Sequence, residues 1–179
     1  MANKGIVIPL SVAGQNIDSL NHSFVSVDNI ENGSIFTMGA VKSGNSDLYE
    51  AVKPATANLG EQTFMAMSPI RIVTTLPDGT QFVDLSLNPQ AFENVAGQII
   101  DGVALQVGDK VRLSVEAIAG TKSSNQFITA TNGAYKLTWA AEAGAGLTLK
   151  LVEDSYISVA TGDIGSQRVA SYDFIVTKA

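Results

Sequence analysis

A chain of 179 residues is long enough for one medium domain or two small ones, each with its own core. Apolar residues make up 45% of it and charged residues 16%, which excludes disorder by composition. Seventeen acidic against eleven basic side chains give a formal net charge of −6, and the lack of cysteine excludes disulfides, thiolate metal sites, iron–sulfur clusters and thiol catalysis.

Arg71, Arg112 and Arg168 are far apart and no run of basic residues exists, so this acidic chain is not expected to bind nucleic acid. No stretch approaches the roughly 18 apolar residues that a membrane helix needs. The apolar run after Lys4 is broken by Pro9 and Ser11 and does not read as a signal peptide. The expectation is a soluble protein made in the cytoplasm, with no membrane partner.

In chain order, residues 1–24 carry few charges and no sustained period and predict an extended N-terminal arm. From there short apolar runs alternate with Gly, Asn, Asp and Pro, so the expected fold class is mainly β. Residues 34–41 and 47–53 read as two strands joined by a polar turn, and 63–67 as a third strand stopped by Ser68 and Pro69. Residues 70–76 and 80–87 flank Pro77, Asp78 and Gly79 and predict a hairpin, because Pro fixes φ and Gly accepts a conformation that other residues avoid.

Asn88 and Pro89 then supply an N-cap and first position for a helix over 91–100, with Phe92, Val95, Ala96, Ile99 and Ile100 on one face. In residues 110–116, Val111, Leu113 and Val115 alternate with Lys110, Arg112, Ser114 and Glu116, the pattern of a half-buried strand. Residues 126–130 and 135–139 flank Asn132 and Gly133, a strong hairpin signal. Residues 147–152 and 156–160 flank Glu153, Asp154 and Ser155 as a further hairpin, and 171–177 closes the chain as a strand. The expected architecture is an extended arm (1–24), a first β lobe (25–87), a short helical connection (88–102) and a second β-barrel or sandwich lobe (103–179).

Few residues offer chemistry. His22 is the one histidine, so a Ser/His/Asp triad would have to run through it; its setting between Asn21 and Ser23 favours a solvated or hydrogen-bonded ring. Zinc-binding histidine or cysteine pairs are lacking, and no calcium-loop spacing accompanies Asp101, Asp109 or Asp163. Glycoside hydrolysis needs two opposed carboxyl groups, and the pairs on offer, Asp28 with Glu31 and Glu153 with Asp154, sit where turns place acids anyway. The glycines of 143–146 and the loop 120–124 lack the spacing of dinucleotide and phosphate loops. Asn21 and Asn32 open glycosylation triplets, which carry little meaning without a secretory signal. Tyr135, Trp139, Tyr156, Tyr172 and Phe174 would stack on sugars or bases if exposed, but core packing suits their strand positions. No catalytic residue, metal ligand or cofactor is assigned, and a binding role is expected.

The succession of residues 27–33 (VDNIENG), 48–56 (LYEAVKPAT), 63–69 (TFMAMSP), 105–117 (LQVGDKVRLSVEA) and 133–137 (GAYKL) resembles the head decoration, or auxiliary capsid, proteins of tailed bacteriophages of Gram-positive hosts. The likeness runs over about residues 25–178 and departs from the pattern at Ile70, where an acid is expected after Ser68 and Pro69. It implies a non-enzymatic virion protein on the outer face of the capsid that reinforces the shell. Its partners would be the major capsid protein and further copies of itself, often as trimers. Ile6, Val7, Ile8, Pro9 and Leu10 would then add a strand to a sheet edge of the capsid protein. A phage tail-tube component is the first alternative. A carbohydrate-binding surface module, which requires an exposed Trp139, is the second.

Overall fold

The computed structural model describes residues 3–75, 81–85, 89–161 and 165–179, with the main chain alone described for 71–75, 81–85 and 161. In chain order its strands are β1 (Val7–Ser11), β2 (Asn21–Val25), β3 (Ile35–Val41), β4 (Leu48–Val52), β5 (Thr63–Ala66), β6 (Arg71–Thr75), β7 (Gln81–Leu85), β8 (Ile99–Ala104), β9 (Lys110–Ser114), β10 (Ile118–Ala119), β11 (Phe127–Thr129), β12 (Leu137–Ala140), β13 (Thr148–Thr161) and β14 (Gly165–Lys178). They form a closed barrel in the order β2-β4-β3-β5-β8, a seven-stranded sheet in the order β1-β9-β14-β13-β11-β12-β10, and a two-stranded sheet of β6 and β7. The chain is mainly β, as its alternating pattern predicts, and the helical pieces among the described residues are 3-10 turns of three or four residues.

Strand alternation decides what the barrel encloses. Phe36 lies opposite Phe64 and Phe64 opposite Ala104, and this row points inward to meet Phe24 and Ile100. The neighbouring row, Ile35 opposite Met65 opposite Val103, points outward. It is buried against Leu113, Ile128, Leu137, Trp139 and Phe174 of the seven-stranded sheet, so barrel and sheet share one core. Burial of a side chain of this size contributes about 1.5–3 kcal/mol. Gly102 makes room for the barrel rings: a Cβ there would lie 2.5 Å from the Phe24 ring.

Sheet membership crosses the expected lobes. β1, from the expected arm, belongs to the seven-stranded sheet, and β8, from the expected connection, closes the barrel between β5 and β2. The helix expected over 91–100 does not form: a 3-10 turn at Pro89–Ala91 gives way to an irregular segment, in which Asn94 bridges Ile30 and a turn at Ala96 and Gly97 leads into β8. Ile100 is fully buried and Ile99 is 62% exposed, a period of two that the one-face helical reading did not separate. Val115, expected on a buried strand face, is exposed in a 3-10 turn at Val115–Ala117, and Ala117 takes the core position instead.

The hairpin turn expected at 153–155 is also missing. β13 runs unbroken through these residues and pairs with β14 along its length, with a bulge between Leu151 and Glu153. The charges fit there because that part of the strand has a solvated face. The pairings of β3 with β4, β6 with β7 and β11 with β12 are antiparallel, as expected. The turn at Pro77, Asp78 and Gly79 lies outside the described residues.

Beyond Leu151 and Ser171, β13 and β14 pair only with each other and form a two-stranded ribbon. It curls over β1, burying Ile157, Val159 and Val169 against Ile6 and Ile8. Arg112 fastens the curl: its Nε and Nη2 donate to the two carboxylate oxygens of Asp173 at 2.6 and 2.8 Å, and its Nη1 to the Tyr156 carbonyl at 3.3 Å.

Candidate interaction site at the edge of the sheet

The amino-terminal segment is threaded between barrel and sheet. The Lys4 N–H donates to the Gln90 carbonyl at 2.8 Å, the Gly5 N–H to Glu31 Oε2 at 2.9 Å, and the Ile6 N–H to Ser114 Oγ at 3.0 Å. The Lys4 ammonium pairs with Glu93 at 2.7 Å, a hydrogen bond that raises its pKa above the ordinary value. Gly5 is required by space, since a Cβ would lie 2.9 Å from both the Ala117 Cα and the Asn32 carbonyl oxygen.

This threading places the five residues expected to contact a capsid in the chain's own sheet. Ile6 is buried, Ile8 is half-buried under the ribbon, Val7 packs on the main core and Leu10 is exposed at a bulge. Ile6 exchanges main-chain contact with Ser114, whose N–H donates to the Ile6 carbonyl at 3.0 Å. By the alternation of an antiparallel ladder, Ile8 also faces β9, whereas Val7 and Pro9 turn their main-chain groups to the outer edge. β1 is the last strand of the sheet, so among the described residues no strand pairs with that edge. Pro9 fits because its missing N–H falls on the unpaired side. The edge thus presents the N–H and carbonyl of Val7 and the carbonyl of Pro9.

The edge opens on a cleft of about 670 Å³. Val7 and Pro9 form one wall, barrel residues His22, Ser23, Gly102 and Val103 the other, and Met67, Ser68, Pro69 and Ile70 lead from it into β6. Asn32 fixes the base: its Nδ2 donates to the Ser68 carbonyl at 2.8 Å, and its Oδ1 accepts from the Ser68 N–H at 3.1 Å and from Asn94 Nδ2 at 3.2 Å. The chain on either side of the β6–β7 hairpin is thereby tied at one buried amide.

The other candidates from sequence are not brought together. His22 is hydrogen-bonded to the Ser19 carbonyl at 3.2 Å, and its ring sits edge-on to Phe64 and Tyr49 at the mouth of the barrel. Asp28 pairs with Lys53 at 2.9 Å and Glu31 with Lys136 at 2.9 Å, so these two acids serve separate cations. The hydrogen bond from Lys53 holds the Asp28 carboxyl below its ordinary pKa, with the Lys53 charge and the Tyr135 hydroxyl adding to it. Asp154 pairs with Lys122, and Glu153 is exposed. Asp109 accepts the Ala13 and Gln106 N–H groups, Asp101 lines the cleft, and Asp163 lies outside the described residues. Among the described residues no group of three potential metal ligands occurs, and no helix is long and apolar enough to cross a membrane.

Trp139 is 9% exposed and packs against Tyr172 and Phe174, with ring centroids 5.3 and 5.7 Å away. The exposed indole required of a sugar platform is therefore lacking. Tyr156 is exposed, with the Arg168 guanidinium 4.3 Å from its ring centroid.

Sequence reasoning gave Met67, Ile70 and Val103 no role in binding and met Asn32 only in a glycosylation triplet and in the stretch that carries the resemblance. Their shared cleft is made by long-range packing, for which no local signal exists. Comparison of the chain with family models, curated proteins and solved structures gives no match.

Proposed function

We propose that this chain is a non-enzymatic structural protein of a bacteriophage virion that binds the outer surface of the capsid and stabilises the shell. The observation that carries the reading is the edge of β1, which no strand among the described residues pairs, opening on a cleft where apolar Val7, Met67, Ile70 and Val103 alternate with polar Asn32, Ser68 and Asp101. An extended segment of the major capsid protein laid along that edge gains main-chain hydrogen bonds from Val7 and Pro9. It also buries side chains among Val7, Met67, Ile70 and Val103. The resemblance over residues 25–178 supplies the kind of lattice. A net charge of −6 suits an exterior position, where the protein does not compete for packaged DNA.

This reading changes the part played by the amino-terminal residues. They receive a strand of the partner as the edge of a formed sheet, with Ile6 and Ile8 committed to the chain's own packing. The test is cosedimentation with undecorated shells. The protein is expected to pellet with the shells, and Val7→Pro is expected to pellet less, because it removes the one outward N–H of the edge while the β9 ladder through Ile6 and Ile8 stays intact. Protein left in the supernatant, or a Val7→Pro variant that binds as well as the parent, overturns the reading.

A further inference from the structure

The β1 cleft contains a carboxylate that no described residue balances. Asp101 lies opposite Ser23 in the barrel wall, and because its neighbour Ile100 points inward, its own side chain points out. Asp101 is half-buried and borders both the β1 cleft and a second cleft of about 410 Å³ on the side of Phe92 and Gln98. Its main chain is occupied: the N–H donates to Ser68 Oγ at 3.0 Å, and the carbonyl accepts from the Met67 N–H at 2.9 Å. Among the described residues no donor or cation pairs with the carboxylate, and no lysine or arginine lines either cleft.

Other acids of the barrel have their own cations: Asp28 has Lys53 at 2.9 Å, Glu31 has Lys136 at 2.9 Å and Glu50 has Lys42 at 2.8 Å. His22, the other ionisable side chain of the β1 cleft, is bonded to the Ser19 carbonyl and packed on Tyr49 and Phe64, and it is not paired with Asp101. While the cleft is open, water serves the Asp101 carboxylate. A strand laid along β1 removes that water. An apolar or acidic guest side chain then leaves the carboxylate stranded, whereas a lysine or arginine replaces its hydration with a charge-assisted hydrogen bond. The cleft therefore discriminates among guests by penalty as well as by attraction.

We infer that the β1 cleft selects, through Asp101, an extended protein segment that carries a lysine or arginine in alternation with apolar residues. Side chains two apart in a strand share a face, so one basic and neighbouring apolar side chains enter the cleft together. The basic one meets Asp101, and the apolar ones settle among Val7, Met67, Ile70 and Val103. The inference rests on the reading of the β1 edge as a docking site for a strand of the shell protein, and adds to it the chemistry of that strand.

The experiment titrates the full chain into short labelled peptides of alternating Thr and Val whose central Val is kept or replaced by Lys or Glu, read by fluorescence anisotropy. The Lys peptide is expected to bind about tenfold or more tighter than the other two, the worth of one charge-assisted hydrogen bond. Asp101→Asn is expected to erase that preference and Asp101→Lys to turn it toward Glu. Glu153→Gln, which removes an equal charge from an exposed position on the ribbon, is expected to keep it. Circular dichroism with a thermal midpoint checks that each variant is folded. A Lys preference that is missing, or that survives in Asp101→Asn, overturns the inference. Cosedimentation with undecorated shells separates it from the reading beneath it. Shell binding that Val7→Pro weakens but Asp101→Asn and Asp101→Lys leave unchanged overturns the role of Asp101 alone. A parent that takes the Lys peptide through Asp101 but ignores shells supports the selection by Asp101 and overturns the capsid reading alone.

Discussion

Ile6 and Ser114 exchange two hydrogen bonds of 3.0 Å, from the Ile6 N–H to the serine Oγ and from the Ser114 N–H to the Ile6 carbonyl. This pair fixes the register of β1 on β9 and so determines which main-chain groups reach the open edge. Ser114 is fully buried and Ile6 nearly so, which leaves no water to replace a lost partner. Ser114→Ala is expected to lower stability by about 1–3 kcal/mol, the cost of a buried donor left unpaired. Urea unfolding reads it as a lower midpoint with an unchanged slope.

The Arg112–Asp173 pair is expected to behave as a partly buried ion pair, with the arginine side chain 26% exposed. The Asp173 side chain is 9% exposed and takes both its bonds from one guanidinium. Arg112→Met alone strands that carboxylate and is expected to cost about 1–3 kcal/mol, whereas Arg112→Met combined with Asp173→Leu restores most of the loss. A double-mutant cycle in chemical denaturation checks the difference. Because Arg112 also holds the Tyr156 carbonyl, hydrogen exchange in the ribbon is expected to speed up in the single variant.

How much of this was legible in the sequence depends on the range of the interaction. The hairpin around Asn132 and Gly133 was readable because its signal is local, and β11 and β12 form beside it. Glu153 and Asp154 misled, since charges that mark a turn also suit the wet face of a long ribbon. Residues 91–100 carried both a helical and an alternating pattern, and burial of Ile100 inside the barrel decided between them. The extended character of Ile6 to Leu10 was visible, but their partner strand lies more than a hundred residues away in the chain. The cleft joins Val7, Met67 and Val103 from three separate segments, so only the folded arrangement reveals it.

Acid is expected to loosen the contact between Asp28 and Lys53. The Asp28 carboxyl sits below its ordinary value of 3.8 because Lys53 hydrogen-bonds to its charged form. Its stabilising contribution is therefore complete above 3.8 and is lost as pH falls below that, through the depressed folded value. The denaturation midpoint of the parent is expected to exceed that of Asp28→Asn at neutral pH, and the two are expected to converge in acid. A gap that persists at low pH contradicts the assignment.

Trp139→Ala is expected to act on stability. The indole fills core space against Tyr172 and Phe174, and its removal should cost about 3–5 kcal/mol. Thermal unfolding measures the loss. A variant of unchanged stability that had lost affinity for a glycan would reverse the placement of this side chain.

The most direct measurement is imaging of undecorated phage shells after mixing with the purified protein. The account expects ordered density at one repeated position on the outer surface, with the β1 edge turned toward the shell protein. Bare shells at saturating protein, or density oriented with that edge facing solvent, would contradict it.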